Sequence, residues 1–174
     1  MGHPIMPKGL KQTSSLIVIG ARVDESAANT YTQAAIDLQL NPLDNEVFIV
    51  VAVDMDPAFP EQVPATRSAL SFSMTTTSQL ALPQFNSTNV IAQKIQVLDD
   101  TIPGTGTYMD TGSMESPPSD LEYLAIIATN DFFLQVQGSN QAAAKSGACK
   151  VYGYRARADA SVYAALVQSE VLSS

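Results

Sequence analysis

Residues Leu121–Asn140 read LEYLAIIATNDFFLQVQGSN, two apolar runs flanking the four residues Ala128, Thr129, Asn130 and Asp131. As one helix, this stretch would scatter Gln135, Gln137 and the pair Phe132-Phe133 over no coherent face. As two strands, it lets Gln135 and Gln137 alternate with Leu134 and Val136, and ATND supplies turn chemistry between LAIIA and FFLQVQG. The period of two is the better fit, so the expectation is a hairpin: strand, tight turn, strand.

The neighbouring segments use the same vocabulary. In LQLNPLDNEVFIVVAVDMDP (38–57), an alternating run ends at Asn41-Pro42 and a β-branched run follows. Seven consecutive apolar residues, Val47 to Val53, leave that strand no polar face, so it is expected to be covered on both sides. Further strands are expected in ALSFSMTTTS (69–78), NVIAQKIQVLDD (89–100), GTGTYMDTG (104–112) and ACKVYGYRARA (148–158), separated by loops such as DPAFPEQVPAT and SMESPPSD. The expected strands are 33–40, 46–54, 67–77, 90–98, 106–110, 122–128, 132–138 and 148–157.

Eight antiparallel strands without a long intervening helix predict an all-β chain, an eight-stranded jelly-roll sandwich. A seven-stranded immunoglobulin-like sandwich is the rival, but its core Trp and Cys pair have no counterpart in a chain with no Trp and one Cys. The division expected is an N-terminal arm over 1–32, with SLIVIGARV as a candidate extra strand, a sandwich over 33–158, and a tail over 159–174. In the tail, DASVYAALVQSEVLSS, Asp159 or Ser161 is placed to cap a short helix whose stripe is Tyr163, Leu166, Val167 and Val171, with a strand over 162–168 as the alternative.

Composition narrows function by exclusion. The 174 residues suffice for one domain with a sizeable core. Apolar residues are 45% and charged residues only 15%, with 17 Asp and Glu against 9 Lys and Arg and a net charge of −8. That balance repels a phosphate backbone, and Lys8, Lys11, Arg22, Arg67, Lys94, Lys145, Lys150, Arg155 and Arg157 are scattered, so no nucleic-acid partner is expected. Arg155 and Arg157 read as one solvated face of a strand, with an anion or partner contact as the alternative. No apolar run reaches the roughly 18 residues needed to span a bilayer. The start, MGHPIMPKGLKQTSS, has no hydrophobic segment of a signal peptide, and Met6 stands where a myristoylation signal needs Ser or Thr. Cytosolic synthesis is therefore expected, and the glycosylation pattern at Asn86 is read as chance.

Catalytic sets fail for want of a base. His3 is the sole histidine, which removes both a Ser-His-Asp arrangement and a Cys149–His pair, as well as a multi-histidine metal site. Cys149 reads as a buried structural thiol. The pairs Asp54/Asp56, Asp99/Asp100 and Asp120/Glu122 are candidate calcium or glycoside-hydrolysis carboxylates, but they fit no twelve-residue calcium loop and lie where edge charges guard strands. GTGTYMDTG lacks the Lys-Ser/Thr of a phosphate loop. No enzyme, metal, cofactor or catalytic residue is expected.

The strand series 33–157, preceded by an extended arm and followed by a short tail, resembles the small single jelly-roll capsid proteins of virions. The resemblance is one of pattern. It implies a structural subunit that self-assembles into a virion shell, is made in a host cytoplasm, and contacts copies of itself and other virion proteins. Many RNA-virus members of that class carry an Arg- and Lys-rich arm, whereas this arm has only Lys8 and Lys11. The departure points away from genome contact and towards a shell lined by another layer or an outer decoration protein. A receptor- or carbohydrate-binding sandwich is the alternative, with Tyr108, Tyr123, Tyr152 and Tyr154 as its aromatics. Independently of the resemblance, SLIVIG, EVFIVVAV and the C-terminal stripe are apolar surface for a symmetric interface. Removal of residues 1–30 is expected to leave a folded monomer that no longer assembles.

Overall fold

A computed structural model describes residues 7–112 and 121–172. These form β1 (Leu10–Gln12), β2 (Ile17–Asp24), β3 (Thr32–Asp37), β4 (Glu46–Pro57), β5 (Arg67–Thr75), β6 (Val90–Asp99), β7 (Thr107–Gly112), β8 (Ala125–Ile127), β9 (Asp131–Ser139), β10 (Ser146–Ala158) and the helix α1 (Ala160–Leu172). Every pairing is antiparallel. One sheet runs β10-β4-β8, with β1 and β2 both against the other edge of β10; the second runs β3-β9-β5-β6-β7.

The connectivity is a long hairpin rolled into two layers. Outer strands pair with outer and inner with inner: β2 with β10, β3 with β9, β4 with β8, β5 with β6. Rolling then brings β10 against β4 and β9 against β5. This nesting is consistent with a jelly roll.

Among the described residues ten strands stand where eight were expected, besides the candidate extra strand SLIVIGARV. All eight expected segments hold a strand, and the two additions, β1 and β2, fall within residues 1–32. β2 forms because IVIGARVD alternates at period two: Val23 closes into the core, with Ile19 and Ala21 packed beside it, while Val18, Gly20 and Arg22 face outward. It pairs with β10 without a break from Asp24↔Ser146 to Ile17↔Gly153. It is therefore a strand of the sandwich sheet itself, which changes what deletion of the N-terminal residues should do.

The stretch 121–140 needs a second correction. It does contain two strands, β8 and β9, but they do not pair with each other. β8 joins β4 in the first sheet, and β9 lies between β3 and β5 in the second. The turn residues carry the chain across the sandwich. Asn130 explains why: its carbonyl accepts from Leu38 N (2.8 Å), its Oδ1 accepts from Leu40 N (2.8 Å), and its Nδ2 donates to Asp37 Oδ1 (2.6 Å). Partners far back in the chain fix the corner, and a period-two pattern says nothing about them.

Between the sheets lies the main core, with Phe48, Val50, Val53 and Met55 of β4 against Leu70, Phe72, Met74, Leu134 and Val136. The run Val47–Val53 is covered on both sides, as expected, and the cover comes from the chain itself. Val47 and Ile49 point the other way, with Tyr154, Ala156 and Ala158, under Val162, Tyr163, Leu166 and Val167 of α1. A bulge supports this double use: Tyr152 and Gly153 oppose Ala52 and Val50, leaving Val51 unopposed, so Val50 and Val53 both reach the core. Gly153 is required there, since a Cβ would lie 2.7 Å from the Phe48 ring and against the Ile49 carbonyl oxygen.

The tail is a helix and not a strand. Asp159 caps it, its Oδ1 accepting from Val162 N at 2.8 Å. Val171, expected in the buried stripe, is 61% exposed. Two of the three apolar surfaces expected to join copies, EVFIVVAV and most of the helix stripe, are thus spent on one another. What remains open is at the start of β2, where Leu16, just before the strand, is 59% and Val18 53% exposed.

Candidate functional site

Four polar clusters carry most of the buried side-chain chemistry, and each closes a loop. The first is built on Glu25, which follows the strand β2 and is buried. Its carboxylate accepts from three backbone N–H groups: Thr30 N (3.0 Å), Gly138 N (2.9 Å) and Lys145 N (2.8 Å). Beside it Asn29 and Gln141 exchange side-chain and backbone bonds, and Gln141 reaches on to Glu61 N and Ala69 O. Gly138 has to be glycine, because a Cβ would sit 2.9 Å from Gln141 Cγ and 3.1 Å from Glu25 Oε1.

Glu61 joins this end through Lys145 Nζ at 2.9 Å and Ala142 N at 2.7 Å. The Lys145 bond first, then the Ala142 amide, hold the Glu61 carboxyl below its ordinary value of 4.5. A depressed folded-state value means the contribution is present above the unfolded value and is lost as pH falls through the folded one. Wild type should therefore lose stability between about pH 5 and pH 3 more steeply than Glu61→Gln. Thermal unfolding followed across that range checks it; parallel curves would contradict the assignment.

The second cluster is Glu170 of α1, also buried. It accepts from Ala128 N (2.7 Å), Thr129 N (2.9 Å) and Thr129 Oγ1 (2.5 Å), and so clamps the helix to the β8–β9 crossing. The third lies on the outer side of the second sheet. Fully buried Gln135 accepts from Ser73 Oγ and donates to Thr75 Oγ1 and Gln33 Oε1. Gln33 and Tyr31 in turn hold Gln79 N and Gln79 O of the 76–89 loop, which roofs this face. The alternation of Gln135 with Leu134 does mark it as facing away from the core, but it faces other polar groups and not solvent.

The fourth corrects the reading of Arg155. It is no solvated strand residue: Nη1 meets Glu46 Oε1 (2.7 Å) and Gln39 O (3.2 Å), and Nη2 meets Leu38 O (2.7 Å). Arg157 makes an exposed pair with Asp44 at 3.4 Å. Both cations serve the 38–46 corner. Arg22, Lys94 and Lys145 are likewise engaged, with Asp24, Asp110 and Glu61.

The carboxylate pairs do not converge. Asp54 and Asp56 project from the outer face of β4, while Asp99 holds Thr101 and Asp100 holds Gly104 N at the β6–β7 turn. Glu122 lies on the approach to β8; Asp120 and His3 are outside the described residues. Among the described residues no three His, Cys, Asp or Glu side chains are grouped as metal ligands. Cys149 is buried on β10, and burial pushes its thiol up to about 12, a poor nucleophile. The tyrosines are dispersed too. Tyr154 lies beneath α1, Tyr123 packs at the same cluster, and Tyr152 is half-buried on the outer face. Only Tyr108 stands out, stacked obliquely on exposed Phe59 at 5.7 Å. None of Glu25, Glu170 or Gln135 carries a sequence signal, because each is defined by partners distant in the chain.

What the surface does offer is edges. Among the described residues β3 pairs only with β9 and β8 only with β4, and likewise β2 pairs only with β10 and β7 only with β6; the last two leave a row of backbone groups without a ladder partner among those residues. They sit at opposite margins of the sandwich. Exposed apolar side chains accompany both: Leu16 and Val18 at β2, Tyr108 and Met109 with Phe59 at β7. No described helix is long and apolar enough to cross a membrane.

No protein-family model matches the chain, and no curated protein matches it. Among solved structures the fold is similar to that of the VP1 pentamer of Human Polyomavirus 6, with TM-score 0.43 and 10% identity over 91% of this chain and 99% of that one. It is also similar to a chain of Desmodium yellow mottle tymovirus, with TM-score 0.31 and 4% identity over 88% of this chain and 93% of that one. At these scores the likenesses assign neither a family nor a function to this chain.

Proposed function

We propose that the chain is a structural subunit, not an enzyme, that assembles with copies of itself into a virion shell. One observation carries the reading: a sandwich whose buried Glu25, Glu170 and Gln135 are engaged in holding its own loops presents, among its edge strands, two unlike ones flanked by exposed apolar side chains, β2 and β7, at opposite margins. A subunit needs at least two distinct contact surfaces to build a closed array, and unpaired strand edges flanked by apolar side chains are the surfaces most disposed to pair. The remaining exposed cations are few, which favours a shell layer or outer decoration over a genome-binding lining.

Negative-stain microscopy of the concentrated protein tests this. Closed particles of uniform size are expected; uniformly monomer-sized particles at high concentration would overturn the reading. A glycan-binding module is the second reading, favoured by the exposed Phe59–Tyr108 pair. Specific glycan binding abolished by Tyr108→Ala would support it.

A further inference from the structure

β2 ends the first sheet with one side of its backbone unused. Glu25 N donates to Lys145 O at 2.8 Å, which continues the register of Asp24 against Ser146 and fixes which groups point where. The odd residues from Ile17 to Val23 turn their N–H and C=O towards β10, and the even ones, Val18, Gly20, Arg22 and Asp24, turn theirs outward. Among the described residues no strand pairs with that outward row. β1 takes only the far end of β10, Ala156 to Ala158, and α1 runs from Ala160 to the corner that Glu170 holds after β8, at the other margin. The side chains of β2 are arranged about a centre at Gly20. Towards the core lie Ile17, Ile19, Ala21 and Val23. On the outer side, exposed Val18 stands to one flank of Gly20 and the exposed Arg22–Asp24 ion pair, at 2.8 Å, to the other. At Gly20 itself a Cβ would meet nothing within 4 Å.

We infer that two copies of this chain join β2 to β2, antiparallel, about a two-fold axis that passes through the Gly20 row perpendicular to the sheet, so that the first sheets of the pair run on as one. The partner is a second copy because the strand is complementary to itself in this register. Val18 stands opposite Arg22 of the second copy and Arg22 opposite its Val18, so each Arg22 stem covers an exposed valine while its guanidinium stays on Asp24. On the core side Ile17 stands opposite Val23 and Ile19 opposite Ala21, which joins two apolar columns. Gly20 meets Gly20 on the axis, where neither carries a side chain. Val18, Gly20 and Arg22 each face a residue whose backbone groups are also turned outward, and every such row of an antiparallel ladder closes two hydrogen bonds. A register centred on Ala21 would instead set Arg22 diagonally beside Arg22 of the second copy and leave Val18 against Asp24. Backbone bonds and apolar side chains carry the contact, so salt weakens it little. The inference rests on the self-assembly reading and names one of its contacts.

Cysteine substitutions read the register. Gly20→Cys should give disulfide-linked dimers under mild oxidation, because the two Cα atoms of such a row lie about 5.5 Å apart, within disulfide reach. Val18→Cys and Arg22→Cys should each give none alone, since either residue lies roughly 14 Å from its own counterpart across the axis. A mixture of the two should give the mixed dimer. Native Cys149 is buried and adds no background. Val18→Lys tests the contact without oxidation: it sets an ammonium opposite Arg22 of the second copy at both ends of the ladder. It should weaken self-association about tenfold in sedimentation velocity. All three positions are exposed, and thermal melts confirm that each variant folds; should a cysteine variant not fold, Val18→Lys decides alone. No dimer from Gly20→Cys, dimers from Val18→Cys alone, no mixed dimer, or unweakened association of Val18→Lys overturns this contact while leaving the shell reading intact. A wild type that never associates removes both.

Discussion

Deleting residues 1–30 is expected to unfold the sandwich and not to release a folded monomer. The deletion removes β1 and β2 and with them an unbroken eight-residue ladder on β10. It also strips Ile17, Ile19, Ala21 and Val23 from one margin of the core. At about 1–2 kcal/mol for each buried or half-buried aliphatic side chain, the apolar loss is about 5 kcal/mol. That is comparable with the whole stability of a domain, roughly 5–15 kcal/mol. The exposed edge of β10 would then be a long apolar template for aggregation. Circular dichroism during heating decides the matter. No cooperative transition is expected for the truncated chain, whereas a sharp melt near that of the full chain would show that β2 is dispensable.

Glu25→Ala should be the most damaging single polar substitution. It leaves the amides of Thr30, Gly138 and Lys145 without their shared acceptor at a buried position. Hydrogen bonds to a charged group are worth roughly 1.5–3 kcal/mol each, and readmitted water recovers part of that, so a loss of about 3–5 kcal/mol is expected. For a domain of this size that lowers the melting temperature by about 10 °C. Glu25→Gln keeps one oxygen as acceptor but turns an amide donor towards the facing N–H groups, so it should fall between the two. An alanine variant that melts within a degree or two of wild type would show that the clasp contributes nothing.

Strands such as β2 and β9 were legible because each buries one face, and period two follows from that; β4, covered on both, was legible from its β-branched run. The cap at Asp159 was legible because helix N-termini have a local chemistry. The pairing of β8 and β9 was not, because ATND looks the same whether a turn returns to its own sheet or crosses to the other. Glu170, further on in the chain, and Asp37, far back in it, settle it. The same limit hides the roles of Arg155 and Gln135: a charged or amide residue on an alternating strand reads as solvent-facing until its partners are known. It also made Val47–Val53 and the helix stripe look like surface for other copies, when one side of the run is the inter-sheet core and the helix covers the other. For the candidate contact surfaces, the sequence showed apolar residues to spare but not which would be left outside.

Light-scattering mass measured across a dilution series tests the central claim most directly. A mass that climbs from one 18.5 kDa chain towards a fixed multiple as the concentration rises is the predicted outcome. A mass that stays at one chain throughout would contradict it.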